Sequence, residues 1–485
     1  MIQNKVIQFL IIFLVLNLVS CKDAKKSITN DYIINPIVAN SIDRDLDDIK
    51  KDGVLKALVV YSSTSYFLYK GQPMGFEYEL LQQLSKHLHL KLEIIISTDL
   101  DSQFEVLNRG DVDIIAHGMT ITNQRKWEVD FTEYLYLTKQ VLVQKKPDNF
   151  RKISWSALQK QMIDDPIDLI GETVSIRKNS AYYERILSFS NEIGGDIYID
   201  TLDSKLSTGE IIDMVVDGKI KYTIADENLA KINASNNPIL KIDVPISFSQ
   251  RIAWVTRKKS TKLRSVLNKW IVSQRKKTDY HVIYNKYFKN KRFFNRRVKS
   301  DYYSLTNNQI SQFDDLIKKF TKILGWDWRL LASQVYQESK FDPEAESWAG
   351  ARGLMQVMPA TAKDLGIKDP TDPIESIRGG TTYLNQIYER FTDITNEVDR
   401  TKFTLAAFNC GYGHVRDAQL LADANGLDPL VWEDSVDQML LALRFPKNYN
   451  KKFIKYGYVR GYEPVTYVNQ IYERYQHYKQ FISEK

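Results

Sequence analysis

The spacing of apolar residues changes character once along this chain, near Tyr303, and that change limits what it can fold into. Between Val54 and about residue 290, strand-like and helix-like patterns alternate. Residues 54–60 form a short run rich in β-branched side chains. Phe76, Leu80, Leu84 and Leu88 then recur every fourth residue, residues 91–96 are strand-like again, and residues 112–116 follow another helix. This βαβ rhythm predicts an α/β domain with a largely parallel sheet. Beyond Tyr303 the strand signals stop. Leu316, Phe320 and Ile323 share one helical face, and Trp328 opens a helix that continues through Leu331, Ala332, Val335 and Tyr336. A chain of 485 residues exceeds what one core supports. We therefore expect a multidomain protein: an α/β part over residues 50–290, a basic linker over 291–305 and an all-α-dominated part over 306–485.

The chain opens with Lys5 and an apolar run over residues 6–19, broken only by Gln8 and Asn17. It is shorter than the roughly 20 residues that cross a bilayer, and residues 1–20 read as a secretory signal. Leu18-Val19-Ser20-Cys21 resembles a bacterial lipobox, which implies a lipidated Cys21 as the mature N-terminus. The alternative is an uncleaved anchor helix. Either reading puts the remainder outside the cytoplasm, held to the cell envelope, with the outer membrane facing the periplasm as the expected site. Cys410 is the only other cysteine, so a lipidated Cys21 leaves no internal disulfide. Residues 21–49 are polar and irregular and read as a tether.

The net charge of +7 suits an anionic membrane or wall, and equally a solvated surface. The basic cluster from Lys286 to Lys299 reads as solvated linker rather than a nucleic-acid site. No zinc spacing, phosphate-cradling loop or nucleophile elbow is present, so neither metal nor cofactor is expected.

Within the α/β part, Gly75-Phe76-Glu77-Tyr78-Glu79-Leu80, Gly110-Asp111-Val112-Asp113-Ile114, Gly118 to Arg125 and Thr223-Ile224-Ala225-Asp226 resemble the periplasmic solute-binding proteins for polar amino acids. The resemblance implies two lobes, with the chain crossing near residues 143 and 243, and a muropeptide or amino-acid ligand. The planar fork of Arg125 can grip a carboxylate through two parallel hydrogen bonds, and Asp226 would accept the ligand's ammonium. Alternatively Arg125 pairs with Asp130 or Glu128 at the surface.

In the helical part, Glu338 lies three residues after Val335 and seven after Leu331, on the same apolar face. Pro343 ends the helix shortly afterwards. Partial burial and the negative end of the helix both disfavour its carboxylate, and a carboxyl kept protonated near neutrality is what a general acid requires. A solvated Glu, or one paired with Lys340 or Arg352, remains the alternative. Gln337-Glu338-Ser339, Gly350-Ala351-Arg352-Gly353-Leu354-Met355-Gln356, Ile377-Arg378-Gly379-Gly380, Ala406-Ala407-Phe408-Asn409 and residues 457–468 resemble the soluble lytic transglycosylase family, whose fold is lysozyme-like.

That resemblance implies Glu338 as catalytic acid and base. It implies Ser339 orienting the carboxyl or the sugar's acetamido group, Met355 as a soft face, and Gln356, Asn409 and Tyr467 bonding substrate. The glycine-rich turn would let backbone approach the sugar. Phe408 stands where family members commonly carry Tyr. The implied substrate is the peptidoglycan glycan strand, cut between N-acetylmuramic acid and N-acetylglucosamine to leave a 1,6-anhydro end. A hydrolytic muramidase of the same fold and a non-catalytic peptide or glycan sensor are the competing readings. The order of parts resembles that of membrane-bound lytic murein transglycosylases.

Overall fold

A computed structural model describes residues 41–97 and 99–484; the expected leader, Cys21 and most of the tether lie outside the described residues. Twelve strands are described: β1 (Val54–Val60), β2 (Phe67–Tyr69), β3 (Gln72–Met74), β4 (Lys91–Ser97), β5 (Ile114–Thr120), β6 (Asp130–Thr138), β7 (Gln140–Lys145), β8 (Thr173–Arg177), β9 (Tyr198–Leu202), β10 (Tyr222–Asp226), β11 (Leu240–Lys241) and β12 (Gln250–Thr256).

The first lobe is a five-stranded sheet in the order β4-β1-β5-β12-β6. β1 is parallel to β4 and β5, while β12 is antiparallel to β5 and β6. The sheet is thus mixed rather than largely parallel. The pattern in sequence captured the local βαβ units but not β12, which returns from the second lobe and enters reversed. Leu55, Ala57, Leu58 and Val59 are all buried, as expected of a strand covered on both faces. The helix Phe76–Leu88 buries Phe76, Leu80, Leu81 and Leu84 in the same core.

The second lobe holds the sheet β10-β7-β11 and the parallel pair β8-β9. β6 ends at Thr138 and Gln140 already pairs with Asp226. The chain therefore crosses at Lys139, a few residues ahead of the expected position.

Two segments expected as loops are ordered. The end of the expected tether is the helix Leu46–Asp52, opened by a capping box on Asp45, and it buries Ile49 completely. Part of the expected basic linker is the helix Lys291–Val298. Its Arg297 is fully buried, with the guanidinium 4.3 Å from the Phe67 ring centroid and 5.1 Å from that of Phe293. Ring faces replace water for this cation, so charge in sequence did not mean a solvated face.

Among the described residues beyond Tyr303 there are helices and isolated bridges only. Ile323 is exposed because the helix Asp314–Thr321 stops short of it; Ile317 takes the buried position instead. The C-terminal helix Tyr462–Phe481 is the spine of this half. Ser333 donates to the Ile471 carbonyl, and Arg329 Nη1 donates to that of Ile482. The Glu338 helix, Trp328–Ser339, therefore runs antiparallel to it. Tyr472 donates to the Val398 carbonyl, which fastens the helix Glu397–Cys410 to the spine as well. The C-terminal end of the Glu338 helix thus meets the spine towards its Tyr462 end.

Candidate active site

Glu338 occupies the last turn of its helix and is half-buried. Leu331 and Val335, on the same face, have no exposure at all. Its Oε1 accepts a short hydrogen bond from the Tyr467 hydroxyl. Burial pushes the Glu338 carboxyl up to about 7, against the opposing pull of that bond. Neither alternative partner engages it: Arg352 pairs with Glu346 at 2.9 Å, and Lys340 is an exposed left-handed cap residue.

The other expected residues divide. Ser339 is buried and donates to the carbonyls of Val335 and Leu354 at 3.2 and 3.0 Å. It ties the helix to the glycine-rich turn rather than orienting the carboxyl. Met355 is fully buried and offers no face to a sugar. A Cβ at Gly380 would fall 2.6 Å from that of Met355, so the two glycines of residues 379–380 make room for core side chains. Gln356 is half-buried, and its amide Nε2 holds the turn together through the carbonyls of Ala345 and Gly353 at 2.9 and 3.0 Å. Gly353 is needed for packing rather than for sugar approach, because a Cβ there would lie 1.8 Å from the Pro370 carbonyl oxygen. Tyr467 is buried and spends its hydroxyl proton on Glu338 instead of on substrate. Asn409 is exposed in the last turn of its helix. Phe408 packs on Tyr383 with centroids 5.6 Å apart, and burial pushes the Cys410 thiol up to about 12.

The α/β half encloses a separate cavity of about 100 Å³ between its lobes. Asp226 reaches it from the end of β10, and Glu77, His117, Arg177 and Tyr182 also line it. Arg125 does not line it but stands close enough for its charge to act on Asp226 and His117; its Nη1 donates to the Thr120 carbonyl at 3.1 Å. Asp130 pairs with Arg264, which leaves the surface reading of Arg125 without that partner. Asp226 Oδ1 and Glu77 Oε2 are buried with no hydrogen-bond partner. Burial pushes Asp226 up to about 7, against the pull of Tyr182, Arg177 and Arg125, and Glu77 up to about 8. His117 is driven down to about 3 by burial and by both arginines. Arg177, Glu77, Tyr182 and His117 were not singled out from sequence. Arg177 merely ends a strand, and no local pattern marks it.

Residues 59–290 match the family of bacterial extracellular solute-binding proteins, family 3, and residues 315–428 match the transglycosylase SLT domain. Among solved structures, an ancestral arginine-binding protein bound to arginine aligns with 49% of this chain and 98% of its own, at 24% identity and a TM-score of 0.40. The membrane-bound lytic murein transglycosylase F of Desulfosudis oleivorans is 34% identical over 432 residues, covering 89% of this chain and 91% of that protein. The protein of the same name from Shewanella pealeana is 31% identical, covering 86% and 83%. With both domain matches in the same order and the likeness running through nearly the whole chain, this protein belongs to the membrane-bound lytic murein transglycosylase F family.

Proposed function

We propose that this lytic transglycosylase cuts peptidoglycan glycan strands with Glu338 as its single acid and base. Glu338 first gives its proton to the oxygen leaving between N-acetylmuramic acid and N-acetylglucosamine. As a carboxylate it then takes the proton of the muramic C6 hydroxyl while that oxygen attacks C1. The product is a 1,6-anhydro sugar, and water is not consumed. The observation that carries this reading is a half-buried carboxyl pushed up to about 7 with one tyrosine bonded to it. Such a group can hold a proton and release it at neutral pH. A second carboxylate, as ordinary glycosidases use, is not supplied by the neighbouring acids. Glu346 pairs with Arg352, and Asp342 accepts from the Glu344 amide within the turn. The exposed Asn409 and the oxygen of the Gln356 amide, whose Nε2 is already engaged, are the polar groups we assign to substrate.

Product mass tests the reaction: the anhydro product lacks the water that a muramidase would add. Glu338→Gln tests the residue, with lysis expected to fall by about 10²–10⁴-fold or more in a folded protein. Near-normal lysis would remove Glu338 from the role.

For the cavity of the α/β half we propose a ligand carrying both carboxylate and ammonium, an amino acid or a wall-derived peptide. Arg177 and Arg125 supply positive charge, and the unpartnered oxygens of Asp226 and Glu77 await donors. We further assign this protein to the outer membrane, lipid-anchored through Cys21.

A further inference from the structure

Gln334 stands one helical turn before Glu338, on the same face, and has no solvent exposure. Its neighbours along the helix, Leu330, Leu331 and Val335, are buried apolar residues. An amide in such a place needs its donors and its acceptor met, yet its Oε1 has no partner. Nε2 donates to the Tyr467 hydroxyl oxygen at 3.1 Å. Tyr467, buried on the C-terminal helix, in turn donates a hydrogen bond to Glu338 Oε1. The three side chains form a directed relay, amide to phenol to carboxyl, and stability alone gives no reason to keep an amide with an unmet oxygen in a core.

A tyrosine hydroxyl has one proton. While its oxygen accepts from Gln334, that proton points at Glu338 Oε1. A second proton on Oε1 would then meet the phenol's proton head-on. Among the described residues the hydrogen bond at the Glu338 carboxyl is the one Tyr467 gives to Oε1, so the exchangeable proton belongs on Oε2. We propose that Gln334 is a positioning residue for the acid–base cycle, donating to Tyr467 so that the phenol engages Oε1 and the transferable proton stays on Oε2. The inference rests on the reading of Glu338 as acid and base. In each cycle the Oε2 proton goes to the leaving glycosidic oxygen, and Oε2 recovers a proton from the C6 hydroxyl. The phenol keeps its own proton throughout. Without Gln334 the phenol can turn, accept from Oε1 and hold the proton inward, where it does nothing.

The test compares Gln334→Met, Tyr467→Phe and the double variant in the full chain, on purified glycan strands, with anhydro product counted. Methionine keeps the bulk and removes the donor. In Gln334→Met kcat should fall on the order of tenfold, one hydrogen bond's worth, with KM and thermal stability held. The weakened phenol bond no longer favours the carboxylate, so the descending limb of the pH–kcat profile should move to higher pH. The other charged group acting on Tyr467 stays in place: Arg474 on the C-terminal helix, bonded to the Ser333 carbonyl and to Gln337. In the Tyr467→Phe background Gln334→Met should change kcat no further, since the amide acts through the phenol. An unchanged kcat and pH limb in Gln334→Met would overturn the proposal, as would an equal loss in both backgrounds. Should Glu338→Gln itself remain active, the reading beneath fails instead, and the two failures are distinguishable.

Discussion

At the scale of the residue, the half-buried place of Glu338 was legible because two independent signals coincide on it: an apolar helical face and a helix end. Tyr467 lies 129 residues away, and nothing local could announce that it would bond the carboxyl instead of substrate. Met355 misled for a related reason, since the space it fills is opened by Gly380 on another helix. The raised carboxyl has a consequence for stability. A carboxyl that ionises near 4.5 unfolded and near 7 folded binds more protons in the native state between those values. Stability therefore falls as pH rises from about 4.5 to about 7, and stays at the lower level above. Glu338→Gln cannot ionise. It should be more stable than the parent at pH 8, by about 2 kcal/mol once the roughly 3 kcal/mol that the full shift represents is reduced by solvent screening of a half-buried carboxyl, with the gap closing as pH falls towards 4.5. Denaturant melts at the two pH values decide it. A constant gap would mean that packing, not ionisation, separates the two proteins.

At the scale of the element, strong periodicity gave the right answers: β1, β4 and the helix Phe76–Leu88 stand where spacing put them. The misses are short elements whose stabilising partners are distant in sequence. Asp45 shows how. Its carboxylate accepts from the Leu46 amide, and also from the amides of Lys262 and Leu263 at 2.9 and 2.8 Å. Those two belong to the first turn of the helix Thr261–Gln274, whose own N-cap, Ser260, supplies no side-chain cap. One side chain thus caps two helices, and the segment expected as a tether is fastened to the first lobe. Asp45→Ala should lower stability by about 2 kcal/mol, the upper end for a single cap, because amides of both helices lose their acceptor. A thermal melt measures it, and a loss within a few tenths of a kcal/mol would mean that water replaces the carboxylate without penalty. Arg297 follows the same logic: its helix looked like a charge run because the nearest ring that receives it, Phe67, comes from elsewhere in the chain and joins Phe293 of the helix itself.

At the scale of the molecule, the sequence indicated two halves but not how they meet. The β2-β3 hairpin of the α/β half inserts Leu68 into the core of the catalytic half, and the Tyr478 hydroxyl donates to the Gly71 carbonyl at 2.7 Å. Tyr66 and His477 share a buried hydrogen bond. Tyr66 directly follows Ser62 to Ser65, which line the cavity, and His477 lies on the same helix as Tyr467. Cavity and carboxyl are therefore joined through one strand end and one rigid helix. A ligand shifts the far site only to the extent that it binds two arrangements of the protein differently, and such couplings typically change a distant affinity by about 5–150-fold. Wall-derived peptides should bind the cavity, as calorimetry on the full chain can measure, and should change turnover at Glu338. Tyr66→Phe removes the hydroxyl that meets His477 without touching Glu338, Tyr467 or the cavity's charged groups. It should keep peptide binding within a few-fold while reducing the peptide's effect on turnover. Peptide that binds yet leaves turnover the same in both proteins would mean that the α/β half localises the enzyme on the wall and does not regulate it.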